Sequence, residues 1–299
     1  MTASSAIPLD IDALRRMPIP HPDEDSDKNS RGRVLIVGSS RRVPGAVLLS
    51  GVAALRAGAG KVQLAVPESL AVQIGIAFPE SGIIALPETP AGEPACEAEP
   101  AVMQAAKLAD AVLFGPGLID EEACMPLVVA LLGCESTGLV LDAAALGQAM
   151  STVDRTRRGR HAPILTPHAG EMASLTGMSK EAIEADPART ALTVAAKLGA
   201  IVALKGATTY VAEPTGRLWR NEHGAVGLGT AGSGDVLAGI IVGLLARGAE
   251  PIAATLWGIY VHAKIGEALS RAIGELGFLS REILDHIPRT LEEAGASRG

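Results

Sequence analysis

Short apolar runs alternate along the chain with longer segments of helical period. Val34-Leu35-Ile36-Val37 is apolar at every position and stops at Gly38, the pattern of a strand buried on both faces of a parallel sheet. Ala46 to Ala57 then predicts a helix with a small-residue face. Lys61 to Val66 predicts a second strand, ended by Pro67, and Ile83 to Leu86 a third. Gly92 to Pro100 is rich in Pro and Glu and predicts a loop, followed by a helix over Ala101 to Leu108. Ala111 to Phe114 is a strand running into Gly115-Pro116-Gly117. A helix over Glu121 to Leu132 follows, then the strand Leu139 to Leu141, ending at Asp142. Ile164-Leu165 ends at Thr166-Pro167-His168, and Ile201 to Leu204 ends at Lys205-Gly206, with a helix from about Ala188 to Leu198 between them. Tyr210 to Ala212 and Leu218 to Arg220 form a hairpin around Pro214-Thr215-Gly216. Gly232 to Arg247 and Pro251 to Arg271 are long helices.

This alternation, with no shift of composition midway, predicts one α/β domain over residues 31–299. Its central sheet is mostly parallel, with helices on both faces. Residues 1–30 precede it as an arm, because Pro18 to Ser30 is rich in Pro, Asp and Asn and lacks apolar period. In such sheets a ligand sits outside the carboxyl ends of the strands. Gly38-Ser39, Gly115-Pro116-Gly117, Asp142, Thr166-Pro167-His168 and Lys205-Gly206 all fall there, which points to one shared site.

Composition narrows the classes. The chain has 299 residues, 48% of them hydrophobic, which is ample for a core and excludes a disordered chain. Its 26 Lys+Arg against 33 Asp+Glu give a net charge of −7, ill suited to a nucleic-acid polymer. The apolar run Val236 to Ala246 is shorter than the roughly 18 residues that a membrane span needs, and predicts a buried helix. The N-terminus carries Asp10, Asp12, Arg15 and Arg16 with no long apolar region, so no secretory signal is expected. Cys96, Cys124 and Cys134 are odd in number and form no Cys-x-x-Cys, which predicts ordinary buried thiols in a reducing cytoplasm. Aromatic residues are only 2%, against stacking as the main binding device, whereas the 34 glycines suit backbone contacts.

Those glycines gather in Gly227-Leu228-Gly229-Thr230-Ala231-Gly232-Ser233-Gly234-Asp235, just before an apolar helix. Such a turn offers backbone N–H groups at a positive dipole end and suits a phosphate. Gly227, Gly229 and Gly232 also spell G-x-G-x-x-G, but two helices follow instead of a strand–helix–strand unit, so a Rossmann site is rejected. Gly58-Ala59-Gly60-Lys61 lacks the P-loop spacing and reads as a helix end leading into a strand. Each candidate has a plainer reading. Asp235 would merely complement the helix dipole, Lys205 would be a solvated turn lysine, His168 a loop histidine and Asp142 a helix cap.

Taken in order, these segments resemble the NAD(P)H-hydrate dehydratase family within the ribokinase-like fold. The likeness rests on Gly38-Ser39 with Pro44-Gly45-Ala46, Gly115-Pro116-Gly117-Leu118, Leu141-Asp142-Ala143 with Ala145-Leu146, and Leu165-Thr166-Pro167-His168-Ala169-Gly170-Glu171. It continues through Leu204-Lys205-Gly206 and Gly232-Ser233-Gly234-Asp235-Val236-Leu237-Ala238-Gly239, and so runs from about residue 30 to the C-terminus. The glycine turn with its Asp is shared with ribokinase-like kinases; the Thr-Pro-His-x-Gly-Glu and Gly-Pro-Gly-Leu pair is more specific.

The resemblance implies a single-domain three-layer sandwich, its mostly parallel sheet flanked by helices. It implies repair of NADH or NADPH hydrated at C6, driven by a nucleotide phosphate: ADP in bacterial members, ATP in eukaryotic ones. Some members carry an N-terminal epimerase domain; with about 30 residues before the first strand, none is expected here. The family's usual Gly-Asn before the glycine turn is Gly224-Ala225 in this chain. By resemblance, Asp235 is the catalytic base, and Gly232, Ser233 and Gly234 form the anion hole. Lys205, Gly206, Ala207, Thr208, Thr209 and Gly234 hold the nucleotide. Ala46, Gly117, His168 and Asp235 contact the hydrated dinucleotide. Mg²⁺ is expected with the nucleotide, with no ligating residue assigned. A homo-oligomer, up to a tetramer, is expected in the cytoplasm, with no nucleic-acid or membrane partner. Two other readings stand beside this one. A ribokinase-like kinase acting on a vitamin-precursor alcohol would share Asp235 and the glycine turn, and a non-catalytic nucleotide-binding module would not need the base.

Overall fold

The computed structural model describes residues 6–21, 27, 28, 30–134, 138–147 and 162–295. In chain order the first half runs β1 (Ile7–Pro8), α1 (Ile11–Arg15), β2 (Arg33–Val37), α2 (Ala46–Arg56), β3 (Lys61–Pro67), α3 (Glu68–Ala77), β4 (Gly82–Leu86), α4 (Glu99–Ala106), β5 (Ala111–Phe114), α5 (Glu121–Leu132) and β6 (Gly138–Leu141). It continues with β7 (Ile164–Leu165), α6 (Ala169–Thr176), α7 (Lys180–Ala185), α8 (Pro187–Leu198), β8 (Ile201–Leu204), β9 (Thr209–Ala212), β10 (Leu218–Asn221), α9 (Ser233–Ala246), α10 (Pro251–Ala272), α11 (Ser280–Ile283) and α12 (Ile287–Gly295). Among the described residues these strands form one sheet, ordered β1-β10-β9-β8-β7-β6-β5-β2-β3-β4. From β8 to β4 every neighbour is parallel; β9 and β10 run antiparallel, and β1 joins β10 in parallel.

Because side chains alternate across a strand, the apolar runs supply both faces. Val34, Ile36, Leu64 and Leu113 share one core with α2, α9 and α10. Leu35, Val37, Val112 and Phe114 share the other with α4, α5 and α8. The result is the expected α/β sandwich.

On the first face, α2 and α9 lie parallel and unusually close. A Cβ on Gly239 would stand 2.3 Å from the Ser50 carbonyl oxygen, and one on Gly243 2.6 Å from that of Ala54. Only glycine permits that approach. This register sets residue 239 against 50 and 243 against 54, so one turn earlier it brings Asp235 level with Ala46. The small-residue face of α2 is thus spent inside the chain, not at its surface.

Several elements depart from the sequence reading. Part of the N-terminal arm is built into the fold: Ile7–Pro8 extends the sheet, Asp10 caps α1, and Leu9 and Leu14 are buried. Arg247 and Trp257 hold its far end through the carbonyls of Pro20 and Met17, at 2.7 and 2.8 Å. Short length hid this segment, since two strand residues and five helical ones carry no readable period. Helix α3 was missed because it is apolar nearly all round: Ala71 and Ile74 pack inward while Val72 and Ile76 are exposed. The loop at Gly92 to Pro100 ends earlier than expected, since a 3₁₀ turn at Cys96–Ala98 leads into α4 at Glu99. That turn leaves Cys96 exposed, and Cys134 is half-buried, so neither is the buried thiol expected. The expected helix at Gly232 to Arg247 is present and nearly wholly buried. No helix among the described residues is long and apolar enough to cross a membrane.

Candidate active site

Strands β6, β7 and β8 are parallel neighbours, so their carboxyl ends bring Asp142, Thr166 and Lys205 side by side. Asp142 is not the helix cap of its plainer reading, because its side chain caps nothing. Instead its Oδ1 accepts from Thr166 Oγ1 at 2.7 Å and from Lys205 Nζ at 3.1 Å. The carboxylate is only 4% exposed, and these two donors compensate its burial. Ala143, next in the chain, takes a left-handed φ of +51°, the kind of local strain that persists at functional sites. Gly115 lies over this corner, where a Cβ would come 1.9 Å from the Asp142 carbonyl oxygen.

After β7 the chain turns into α6 through a reciprocal cap. Glu171 N donates to His168 Nδ1 at 3.1 Å, and His168 N donates to Glu171 Oε2 at 2.8 Å. The cap aims Glu171 back at the cluster, its Oε2 3.7 Å from Lys205 Nζ. His168 is therefore a helix cap, with its ring left exposed at the cleft wall.

The glycine turn closes the site from the far side. Gly232 takes φ +86° and caps α9. The first-turn amides of Gly234 and Asp235 lack intrahelical partners by construction and sit at the positive end of the helix dipole. A Cβ on Gly234 would lie 3.5 Å from Lys205 Nζ and 4.0 Å from Asp142 Oδ2, so the turn abuts the charged cluster. Burial raises the Asp235 carboxyl to about 7; the charges of Asp142 and Glu171 add to this, and Lys205 partly offsets it. Burial opposes charge on Lys205, but Asp142, Glu171 and Asp235 together hold its ammonium above its ordinary value.

Two clefts meet here. The larger, about 740 Å³, is lined by His168, Lys205, Gly206, Ala207, Thr209, Ser233 and Gly234, together with Asn221, His223 and His262. The smaller, about 300 Å³, is bounded by Leu118, Ala143, His168 and Glu171. His168 belongs to both walls, and the Lys205–Glu171 pair bridges them. Ala46, Gly117, Thr208 and Asp235 are outside both walls. Gly117 adjoins Leu118 of the smaller cleft and touches Ala46, for a Cβ on it would stand 2.9 Å from Ala46 Cβ. Asp235 follows Gly234 of the larger.

The sequence and the fold also match known proteins. The model of a family described as NAD(P)H-hydrate dehydratase matches residues 34–289. The chain belongs to the NAD(P)H-hydrate dehydratase family. It is 47% identical over 280 residues to an ADP-dependent (S)-NAD(P)H-hydrate dehydratase of Xanthomonas campestris, covering 94% of each chain. A crystal structure of the ADP/ATP-dependent NAD(P)H-hydrate dehydratase from Bacillus subtilis, co-crystallised with ATP/Mg²⁺, superposes with TM-score 0.84 at 28% identity, covering 98% of this chain and 100% of that one. A ribokinase-like superfamily protein from Enterococcus faecalis matches with TM-score 0.82 at 25% identity, over 98% of each chain. Other members are longer: the chain spans about half the length of a bifunctional NAD(P)H-hydrate repair enzyme of Moorella thermoacetica, 39% identical over 93% of this chain.

In this family member the sequence had marked Asp142 and Glu171 only as strand-end or motif residues, with no assigned role. Their coupling through Lys205 depends on strand order, which spacing along one chain does not reveal. Asn221, His223 and His262 went unnoticed as wall residues. Asn221 is buried, its Nδ2 donates to the His223 carbonyl at 2.9 Å, and its Oδ1 has no hydrogen-bond partner. Its place just after the predicted strand Leu218 to Arg220 was the one readable signal for Asn221.

Proposed function

We propose that the chain dehydrates the (6S)-hydrate of NADH or NADPH at the expense of ADP, releasing AMP and phosphate. The observation that carries this reading is the convergence of Asp235, the glycine turn and the Asp142–Lys205–Glu171 cluster between two clefts. The two cavities suit two ligands, a nucleotide in the larger and the hydrated ring in the smaller.

Hydroxide is a poor leaving group, so the C6 hydroxyl must first be converted to a better one. Asp235 takes the hydroxyl proton as the oxygen attacks the terminal phosphorus of ADP, and AMP departs with the electrons of the broken P–O bond. A carboxyl raised to about 7 is matched to that task, since about half is ionised at neutral pH and the ionised form is more basic than an ordinary carboxylate. The amides of Gly232 and Gly234 face the negative oxygens of the transferring group, while that of Ser233 closes the turn on the Thr230 carbonyl at 3.3 Å; such transfers are driven mainly by positioning and charge stabilisation. The C6 phosphate then leaves as the ring nitrogen lone pair moves in, and the neighbouring carbon loses a proton to restore the dihydropyridine. Lys205, Gly206, Ala207, Thr208, Thr209 and Gly234 hold the nucleotide; Ala46, Gly117, His168 and Asp235 hold the dinucleotide.

The residues present suit Mg²⁺. Two oxygen donors, Asp142 and Glu171, face one ammonium, and the negative charge left over is part of what raises Asp235. Among the described residues no group of three or more side chains forms a ready cage. Mg²⁺ does not need one, because it takes one or two carboxylates and completes its shell with phosphate and water. Bound there by Asp142 and Glu171, it would neutralise phosphate charge.

The test is direct. Incubated with (6S)-hydrated NADH, ADP and Mg²⁺, the protein is expected to restore dihydronicotinamide absorbance, with one AMP formed per molecule repaired. No recovery with either ADP or ATP, together with phosphorylation of a vitamin-precursor alcohol, would overturn this reading in favour of a kinase.

A further inference from the structure

Ser233 and His262 form a pair that the chemistry above leaves unused. Ser233 opens α9, within the glycine turn; His262 comes from α10, on a separate stretch of chain. Ser233 Oγ lies 3.0 Å from His262 Nε2. Both residues are buried, at 4% and 8% exposure, yet both belong to the wall of the larger cleft. A surface serine would spread over its staggered rotamers; this one is held by a ring fixed in the core of a long helix.

The direction of that hydrogen bond matters. If the hydroxyl gave its proton to the ring, its lone pairs would face the oxygens of a bound phosphate, acceptor against acceptor. If Nε2 carries the proton and donates to Oγ, the hydroxyl hydrogen remains for the anion. Burial and the nearby Lys205 charge push the ring down to about 4, so it stays neutral at working pH.

We propose that His262 is a positioning residue of the phosphoryl-transfer site, donating from Nε2 to Ser233 Oγ so that the hydroxyl proton points at the phosphoryl group in the glycine turn. Each donor in such a chain polarises the next, which strengthens the final bond to the anion. The proposal rests on the phosphoryl-transfer reading, and its test separates the two.

His262→Phe keeps a ring and removes the donor; His262→Gln restores an N–H at similar reach; Ser233→Ala removes the hydroxyl. Turnover with ADP and hydrated NADH is measured for each, with ADP affinity by calorimetry and Tm by thermal melting. His262→Phe and Ser233→Ala are each expected to lower kcat about tenfold, the loss of one charge-assisted hydrogen bond in the transition state, with KM for the hydrated dinucleotide within about twofold. His262→Gln is expected to recover most of kcat. The double variant is expected to lose no more than either single one, because the two act through one contact. Losses that multiply in the double variant, full kcat in Ser233→Ala, or no recovery in His262→Gln would each overturn the proposal. Should His262→Phe fail to fold, Ser233→Ala and His262→Gln still decide it. Should the wild-type protein bind ADP yet repair nothing, the functional reading fails. The pair is then judged by ADP affinity, which both single variants must weaken non-additively.

Discussion

Asp235 works at a cost to the fold. Its carboxyl is raised to about 7 from 3.8, so between those values the folded protein holds a proton that the unfolded chain has released. That contribution to stability is present at low pH and lost as pH rises toward 7, and above 7 the buried charge is a net penalty. Asp235→Asn is therefore expected to raise Tm at pH 8, by a free energy of at most about 4 kcal/mol, and to change it little at pH 4. The same variant is expected to lose on the order of 10²–10⁴ in kcat if Asp235 is the base; near-normal turnover would remove it from that role. Its neighbours set where the acid limb falls. Wild-type kcat/KM is expected to rise with pH through about 7. Asp142→Asn removes a charge that raises Asp235 and should move that limb to lower pH, whereas Lys205→Met removes one that lowers it and should move the limb up. A pH–rate profile of the two variants checks both signs, and shifts in the same direction would rule out the cluster as the cause.

Most helices and strands were legible from their apolar runs, whereas α3, apolar nearly all round, was not. Ala111–Phe114, Ile164–Leu165 and Ile201–Leu204 fall where the apolar pattern placed them, and so does Glu121–Leu132. The glycine turn was legible too, since four glycines before an apolar helix have few other uses. The pairing of Asp142 with Lys205 was not, because 63 residues separate them and only sheet order joins them. Helix–helix contact was equally hidden: nothing local in Gly239 or Gly243 says that another backbone lies against them. That contact makes a prediction of its own. Gly239→Val would force atoms into the 2.3 Å gap to the Ser50 carbonyl and should destabilise by about 3 kcal/mol or more. Because it pushes α9 off α2, it should also lower turnover, measured beside urea unfolding; a variant as stable as the parent would show the gap to be compliant.

The N-terminal segment binds the sheet edge to the helices behind it. Leu9 N donates to the Arg220 carbonyl at 2.8 Å, and Arg247 and Trp257 fasten residues 17–20. Truncation before Met17 strips the cover from Leu218 and Trp219 as well as removing Leu9 and Leu14, each Leu worth about 1.5–3 kcal/mol of burial. Thermal melting is expected to show Tm lower by several degrees; an unmoved midpoint would mean the segment is an appendage. The glycine seam between α2 and α9 has an engineering consequence. At Gly239 and Gly243 the two helices meet backbone to backbone, and Ala46 and Asp235 stand at the same end of that contact. Bulk added at Gly239 or Gly243 would prise the helices apart and carry Ala46 away from Asp235, so the distance between those two residues is set by the seam.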